Sequence, residues 1–369
     1  MKTKKKNIAF YISSHGFGHF ARAIIIIKKL IKDFNIFIKS DIALKKFEYE
    51  LSTENRKYKV IPAAFDVGCI QKSFVDIDIE KTLQTAEIVQ LQNEKNYSSE
   101  KKFLIDNNID FILADAASYP LKLGAELNIP RFLISNFTWY DIYSNFPKVF
   151  TKKYSTLISA IKYEYSCATA QMCPGLAIEN DYIKQKYNFG LITSPSKNIK
   201  SELYEKYNIK NKITAFIYFG NFDNKIINWH NLKNNTNAVF LTKDDIPIKS
   251  ENLIKINDEY NFADLILSTD IVITKPGYST VANAVYYKKP ILFCSRKHFY
   301  EYYSLRDFIL SNNAGLLVDS ANFFDCNWSK YIDKSLKLKI RDVSGAGADE
   351  IKTVILYSNS TFTKSNVSC

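Results

Sequence analysis

The stretch from Asn7 to Asp33 reads NIAFYISSHGFGHFARAIIIIKKLIKD, an apolar run, then two glycines between two histidines, then a long aliphatic segment. A short apolar run ending at glycines is typical of a buried strand, and the Gly- and Pro-free residues that follow predict a helix. Strand, glycine turn and helix make the first unit of an open α/β sheet. Ligands bind beyond the carboxyl ends of strands in such sheets, so we expect a ligand near this turn.

The turn is unusual because glycine is scarce, with 11 in 369 residues, and because it carries two of only 4 histidines, His15 and His19. It is not a dinucleotide fingerprint, since Ala21 stands where the third glycine of that motif would fall. We therefore do not expect NAD. An ordinary strand-to-helix turn with solvent-facing histidines stays open as the alternative.

Length and composition indicate a globular protein of about two domains, with 46% hydrophobic residues. The net charge is +12, but the lysines are scattered and the charge alone does not select nucleic acid, membrane or phosphate-rich substrates. The 6 cysteines form no Cys-x-x-Cys pair, and no metal site has suitable ligand spacing. We expect reduced thiols, no metal and no nucleic-acid partner.

The lysine-rich start of the chain is followed by too few apolar residues for a signal peptide, and no run of 18 apolar residues occurs. We expect a cytoplasmic protein, with a peripheral location at the inner face of a membrane as the alternative.

The first half continues with strand-like apolar runs separated by helical segments. Crossovers of this kind favour a parallel sheet. The predicted strands after the first lie at residues 34–40, 58–64, 110–115 and 130–137, with a crossover helix at 119–127. Asp115 and Asn136 would then fall at strand carboxyl ends, on the same rim as the two histidines.

A composition shift at residues 194–198 predicts a linker between two Rossmann-like domains with a cleft between them. The predicted division is 1–193 for an acceptor-side domain, 194–344 for a nucleotide-sugar-side domain, and 345–369 for a helix crossing back to the first domain and a frayed tail. The second half restarts the α/β pattern with strands at 213–219, 238–242, 253–256 and 270–274. The first of these runs into Gly220.

The second half contains its own glycine turn, in the stretch IVITKPGYSTVANA at residues 271–284. A strand ends before Gly277, and Ser279 or Thr280 is expected to cap the following helix. Free amides from Tyr278 to Thr280 at a helix start would favour a diphosphate. Arg296 follows the next strand on the same rim. The alternative is a plain strand-turn-helix with no ligand.

These motifs resemble the GT-B glycosyltransferase-like domain found at the N-terminus of plant L-arabinokinase and as stand-alone bacterial proteins. More distantly, they are similar to the peptidoglycan N-acetylglucosaminyltransferase and monogalactosyldiacylglycerol synthase group. The resemblance covers residues 7–358 and rests on Ser14-His15-Gly16-Phe17-Gly18-His19 with Arg22, Asp66-Val67-Gly68-Cys69-Ile70-Gln71, Ser135-Asn136-Phe137-Thr138-Trp139 with Asp141-Ile142-Tyr143, and Lys275-Pro276-Gly277-Tyr278-Ser279-Thr280-Val281.

The resemblance implies roles for individual residues. His19 takes the position of the histidine beside the reaction centre, which acts as a base or as a donor to diphosphate. Gly277, Ser279 and Thr280 inherit the nucleotide diphosphate site. Asn283 replaces a glutamate that grips the nucleotide ribose, and an amide makes weaker hydrogen bonds than a carboxylate. The remaining residues expected to bind substrate are Gly16, Gly18, Arg22, Asn136, Gly220, Tyr278, Arg296 and Glu301. Glu301 lies in a segment that corresponds to the donor side of the family, and the alternative for this segment is a half-buried helix face.

We therefore expect a metal-independent glycosyltransferase that uses a nucleoside-diphosphate sugar and a carbohydrate or lipid-linked acceptor, with no other cofactor. Imidazole changes charge near neutral pH, so His19 or His15 suits the base, and Asp115 could orient it. A non-catalytic nucleotide-sugar-binding module and a sugar-nucleotide epimerase remain alternatives. No residues remain for the kinase domain of L-arabinokinase, so no kinase activity is expected.

Overall fold

A computed structural model describes residues 5–54, 58–220, 222–257 and 259–361, without the side chains of Phe17 and residues 359–361. The chain forms two compact units. The first comprises Met1–Ile70, Asp78–Ile192 and Gly345–Cys369, and the second comprises Gln71–Ile77 and Thr193–Ser344. The predicted α/β class with two parallel sheets is confirmed. The predicted frayed tail falls mostly on residues 362–369, outside the described residues.

The first unit is built on a seven-stranded sheet in the order β3-β2-β1-β4-β5-β6-β7. All its strand pairs are parallel. The central position of β1 explains its apolar sequence, since both faces are covered and five of its six residues are buried. The strands are β1 (Asn7–Ile12), β2 (Asn35–Lys39), β3 (Tyr58–Ile61), β4 (Ile109–Asp115), β5 (Arg131–Ile134), β6 (Ala170–Pro174) and β7 (Lys186–Phe189).

Nine helices of the described residues belong to the first unit. The last packs on the first, where Ile351 and Ile355 are fully buried in the same apolar cluster as Ile27. The helices are α1 (Gly16–Leu30), α2 (Leu44–Glu50), α3 (Ile79–Lys95), α4 (Tyr97–Asp106), α5 (Tyr119–Glu126), α6 (Trp139–Ser144), α7 (Lys148–Lys153), α8 (Ser155–Ser166) and α15 (Gly347–Thr361).

The second unit has a six-stranded parallel sheet in the order β10-β9-β8-β11-β12-β13. Its strands are β8 (Ile213–Tyr218), β9 (Ala238–Thr242), β10 (Leu253–Lys255), β11 (Ile271–Thr274), β12 (Ile291–Phe293) and β13 (Gly315–Leu317). Its helices are α9 (Lys200–Lys206), a 3-10 helix at Trp229–Asn234, α10 (Phe262–Ser268), α11 (Tyr278–Tyr286), α12 (Glu301–Ser311), α13 (Ser320–Phe324) and α14 (Ser329–Ser335).

Residues Gln71–Ile77 belong to the second unit although both flanking segments belong to the first. Phe74 is fully buried, and its ring centroid lies 4.4 Å from that of Phe219. The Lys297 amide donates to the Val75 carbonyl at 2.8 Å. The predicted first domain, residues 1–193, includes this segment, because nothing in its composition marks a crossing to the second unit.

Two features of the first unit differ from the sequence predictions. Helix α1 begins at Gly16, with His15 as its N-cap, so the two glycines form the first helical turn rather than a turn before it. Strands β6 and β7 were not predicted, and neither was β13 in the second unit. They are short, and polar or half-exposed residues interrupt their apolar pattern.

The five cysteines among the described residues are free and buried, as predicted. No helix in the described part of the chain is long and apolar enough to cross a membrane.

Candidate active site

Four predicted site residues meet at the carboxyl edge of the first sheet. Asp115 ends β4 directly beside Ile12 of β1, because the two residues pair in register. Asn136 lies two residues beyond the neighbouring strand β5. His19 and Arg22 are three residues apart on α1, so they share one helix face.

Asp115 is the centre of this cluster and is fully buried. Its Oδ1 accepts hydrogen bonds from His19 Nδ1 (2.6 Å) and Arg22 Nη2 (2.6 Å), and its Oδ2 accepts one from Arg22 Nε (2.9 Å). Arg22 Nη1 also donates to Asn136 Oδ1 at 3.2 Å. Burial alone would raise the pKa of Asp115, but the charges of Arg22 and His19 outweigh it and hold the pKa below its usual value. Asp115 is therefore an ionised acceptor.

The two histidines differ in which ring nitrogen carries the proton. Asp115 is ionised and accepts only, so His19 Nδ1 must hold a proton and the lone pair of the neutral ring lies on Nε2. His15 Nδ1 instead accepts from the Cys69 amide at 3.1 Å, which places the proton of its neutral ring on Nε2. The ring centroids are 6.4 Å apart. His19 is thus arranged as a base, and His15 as a hydrogen-bond donor.

The loop that holds His15 contains an acidic residue that sequence reasoning missed. Asp66 Oδ1 accepts from Ser13 Oγ at 2.7 Å, and burial raises the pKa of Asp66 to about 6, although that hydrogen bond and the nearby His19 oppose the shift. Trp139 lies against both histidines, with ring centroids 5.1 Å from His15 and 6.1 Å from His19. The only sequence signal for Asp66 was its place in a motif that carried the family resemblance.

Gly68 allows this loop to reach His15. Its φ is +64°, and a Cβ at this position would lie 2.1–2.3 Å from atoms of the His15 side chain. The Tyr143 hydroxyl donates to the Gly68 carbonyl at 2.6 Å and fixes the loop from the other side. Gly16 differs, because a Cβ there would meet nothing within 4 Å. Gly16 and Gly18 therefore leave the start of α1 exposed.

In the second unit, Gly220, Gly277 and Arg296 follow the adjacent strands β8, β11 and β12, so all three lie at one sheet edge. Gly277 itself is the N-cap of α11, and no side chain caps this helix. The prediction that Ser279 or Thr280 caps it was therefore wrong, since α11 already begins at Tyr278. A Cβ on Gly277 would meet nothing within 4 Å, which leaves open space beside the first amides of the helix.

Two other predicted donor-side residues are buried. The Asn283 amide accepts from the Ser194 backbone at 2.9 Å and donates to the Ser279 carbonyl at 2.7 Å. Its amide thus holds protein backbone, which argues against the ribose contact that the sequence predicted. Glu301 is buried in the first turn of α12.

A second residue that sequence reasoning missed is Lys275, between β11 and Gly277. Its Nζ lies 3.8 Å from the Phe222 ring centroid, and Glu301 is among the charges that act on it. Its position after a strand was visible in the sequence, but only folding brings it to Phe222.

A cavity of about 500 Å³ lies in the first unit against α6 and α8, where Tyr140, Lys162 and Tyr182 are among its lining residues. No predicted site residue lines it. Within the described residues, no group of three or more His, Cys, Asp or Glu side chains is placed to hold a metal ion.

Comparison with known sequences gives one distant relative and no matching family model. L-arabinokinase from Arabidopsis thaliana is 22% identical over 361 residues, which cover 94% of this chain and 34% of that protein. The chain thus spans about a third of the length of the curated relative that it matches.

Solved glycosyltransferases share the fold over nearly the whole chain. A UDP-glucosyltransferase from Polygonum tinctorium capable of glucosylating indoxyl superposes with a TM-score of 0.66 at 11% identity, covering 98% of this chain and 94% of the other. Phytolacca americana UGT2, complexed with UDP-2fluoro-glucose and pterostilbene, gives 0.63 at 11% identity and coverages of 96% and 94%. The calicheamicin glycosyltransferase CalG4 gives 0.62 at 10% identity and coverages of 98% and 100%. The chain therefore has the GT-B glycosyltransferase-like fold and is distantly similar in sequence to L-arabinokinase.

Proposed function

We propose that the protein is a glycosyltransferase that moves a sugar from a nucleoside-diphosphate sugar to a hydroxyl of a carbohydrate or lipid-linked acceptor. The observation that carries the proposal is the pair of His19 and buried Asp115 at the carboxyl edge of the first sheet, which leaves His19 Nε2 as a base. Similarity to a UDP-glucosyltransferase and to a complex with UDP-2fluoro-glucose supports this choice.

In the proposed reaction, the acceptor oxygen attacks C1 of the donor sugar and its proton passes to His19 Nε2. The bond from C1 to the diphosphate oxygen breaks, and its electron pair leaves with the nucleoside diphosphate. Asp115 holds the ring in the required tautomer and stabilises the imidazolium that forms. Arg22 keeps Asp115 ionised, so Asp115 remains an acceptor throughout.

The second unit is proposed to stabilise the leaving diphosphate. The amides of Tyr278, Ser279 and Thr280 stand at the start of α11, where the helix dipole favours an anion. Arg296 adds a positive charge at the same sheet edge. These groups supply positive charge without a metal ion, so we propose a metal-independent reaction.

A non-catalytic nucleotide-sugar-binding module is the second candidate, and the contacts of Asn283 favour it. The Asn283 amide is hydrogen-bonded to backbone groups, so it does not replace the glutamate that binds the nucleotide ribose in the related enzymes. Such a module would bind the donor but release no sugar in the presence of any acceptor.

Donor binding is tested by thermal shift with a panel of nucleoside diphosphates and their sugars. A ligand at 100 times its dissociation constant stabilises a fold by about 2.7 kcal/mol. Gly277→Val should abolish the shift, because the added side chain occupies the space beside the helix amides, where a Cβ would meet no protein atom within 4 Å. Ala321→Val, at an exposed position of α13, is the matched control and should keep the shift. If no compound shifts the wild type, the donor site does not exist.

Turnover is tested by release of the nucleoside diphosphate from the best-binding donor, with a pool of hydroxyl acceptors. His19→Gln should lower kcat by about 10²–10⁴-fold, the usual contribution of a general base, with donor affinity unchanged. Equal turnover in the wild type and in His19→Gln would show that His19 is not the base. Binding without turnover in the wild type would select the binding module.

A further inference from the structure

Lys275 is a basic side chain without a polar partner among the described residues, at the carboxyl edge of the second sheet. In the described part of the chain its Nζ makes no hydrogen bond and no ion pair, and it stands over the Phe222 ring at 3.8 Å. Gly220 is its neighbour, since a Cβ there would be in ordinary van der Waals contact with Lys275 Cε, at 3.8 Å. Lys275 is only two residues from Gly277, where the surface beside the helix amides is open.

A second basic side chain, that of Arg296, lies over an aromatic ring at the same edge. The Arg296 guanidinium carbon is 4.1 Å from the Phe299 ring centroid, and Arg296 Nη2 donates to Gln71 Oε1 at 3.2 Å. The charge of Arg296 acts repulsively on Lys275. When both groups are protonated they repel each other, and an anion bound beside them would offset that repulsion.

Two carboxylates act on Lys275, but they do not offset its burial and the repulsion from Arg296. Asp244 lies in the loop after β9 and accepts from the Phe219 amide, while Glu301 approaches from α12. Burial lowers the pKa of Lys275 well below its usual value, and Arg296 lowers it further, against the attraction of both carboxylates. Burial raises the pKa of the Cys294 thiol to about 12, so it stays neutral. Burial and the charge of Arg296 therefore disfavour the ammonium form of Lys275.

We propose that Lys275 is a proton-coupled ligand of the donor diphosphate, binding a phosphoryl oxygen through its ammonium group as the site takes up a proton from solvent. The inference rests on the proposed function and adds to it a residue and a linked proton. The balance is simple: one proton moves from solvent to the Lys275 amine when the anion arrives, and the same proton leaves when the diphosphate leaves.

The test is calorimetric titration with UDP-glucose, whose diphosphate does not itself titrate near pH 7.5. Measurements at one pH in Tris and in HEPES, which differ widely in ionisation enthalpy, give the number of protons exchanged. The wild type should take up protons when UDP-glucose binds, so its binding heats should differ between the two buffers. Lys275→Met should bind at least tenfold more weakly with no uptake. Lys275→Arg, which stays charged, should bind more tightly than Lys275→Met, also with no uptake.

Lys330→Met, on the exposed face of α14, is the matched control and should leave affinity and proton uptake unchanged. Binding with equal heats in the two buffers would overturn the proton coupling while leaving the donor site in place. Unchanged affinity in Lys275→Met would overturn the ligand role. Absence of any UDP-glucose binding to the wild type would overturn the inference together with the UDP-sugar form of the proposed function.

Discussion

Asp66 places a carboxylate where burial opposes its charge. Oδ1 accepts from Ser13, whereas Oδ2 is buried and has no hydrogen-bond partner among the described residues. The pKa of about 6 compares with about 3.9 for an exposed aspartate. Near neutral pH the folded protein therefore holds a destabilised negative charge close to both histidines.

Asp66→Asn should become more stable relative to the wild type as the pH rises. The folded-state pKa is raised, so proton binding stabilises the wild-type fold below about pH 4, and this contribution is lost as pH rises through about 6. At pH 7.5 the ionised wild type should be disfavoured by up to about 3 kcal/mol, a cost that asparagine avoids. Urea unfolding at pH 5 and pH 7.5 measures the difference.

The control for Asp66→Asn is Asp319→Asn. Hydrogen bonds from Asn322 lower the pKa of Asp319 to about 2, so Asp319 is ionised in both states between pH 5 and 7.5. The stability difference between Asp319→Asn and the wild type should therefore not change with pH. A pH-independent difference between Asp66→Asn and the wild type would contradict the raised pKa.

Residue types were predictable at the first-unit site, but proton positions were not. The sequence pointed to His15, His19 and Asp115, and the fold brings them together. It offered no means of telling the two histidines apart, because the distinction depends on a carboxylate 96 residues away and on the amide of Cys69. Asn283 is the opposite case. The sequence predicted a weak ribose ligand at this position, but its amide is hydrogen-bonded to backbone groups.

At the scale of elements, the loop after β3 and the start of α1 each contain a glycine with positive φ, but only the glycine of the loop packs against His15. Gly68 has φ +64° and Gly16 has φ +72°, but only a Cβ on Gly68 would meet the His15 ring. Gly16→Ala should cost about 1 kcal/mol, from left-handed strain alone. Gly68→Ala should cost about 1–3 kcal/mol more, because overpacking is added.

Chemical denaturation of the two glycine variants measures this difference, with strain matched between them. Equal destabilisation would show that the loop moves away from His15 without cost. A larger loss in Gly16→Ala would mean that the start of α1, rather than the loop, constrains the site.

Element boundaries were predicted less well than element types, for local reasons. Strand β9 begins and ends where the sequence indicated, at residues 238–242, because turn-forming residues flank it. The start of α1 was displaced, since Gly16 and Gly18 resemble a turn although they join the helix. Strands β6 and β7 escaped prediction, because polar residues such as Gln171 enter strands once tertiary hydrogen bonds satisfy them.

At the scale of the whole molecule, α15 is the last of the described elements and completes the core of the first unit. Ile351→Asp should destabilise that unit by more than about 4 kcal/mol, since it buries an unpaired charge. Tyr357→Asp, on the same helix at 71% exposure, should change stability by less than about 1 kcal/mol. Urea unfolding followed by circular dichroism compares the two, and equal effects would contradict the packing of α15 on α1.

The fold class followed from the sequence because alternating apolar strands and helices repeat along the chain, and the GT-B resemblance extended over it. The assignment of Gln71–Ile77 to the second unit did not follow. It depends on Phe74 finding an apolar cluster around Phe219, a contact between segments far apart in sequence that no local pattern encodes.

The return of the chain to its first unit has a consequence for biosynthesis. The strands of the first unit leave the ribosome early, but α15 emerges only after roughly 150 further residues have been made. At about 5–20 residues per second, the apolar face of α1 would stay uncovered for about 8–30 s before α15 is made. During that interval the second unit is synthesised in full, so the nascent chain would complete its later-encoded unit first and need protection against aggregation at α1 meanwhile.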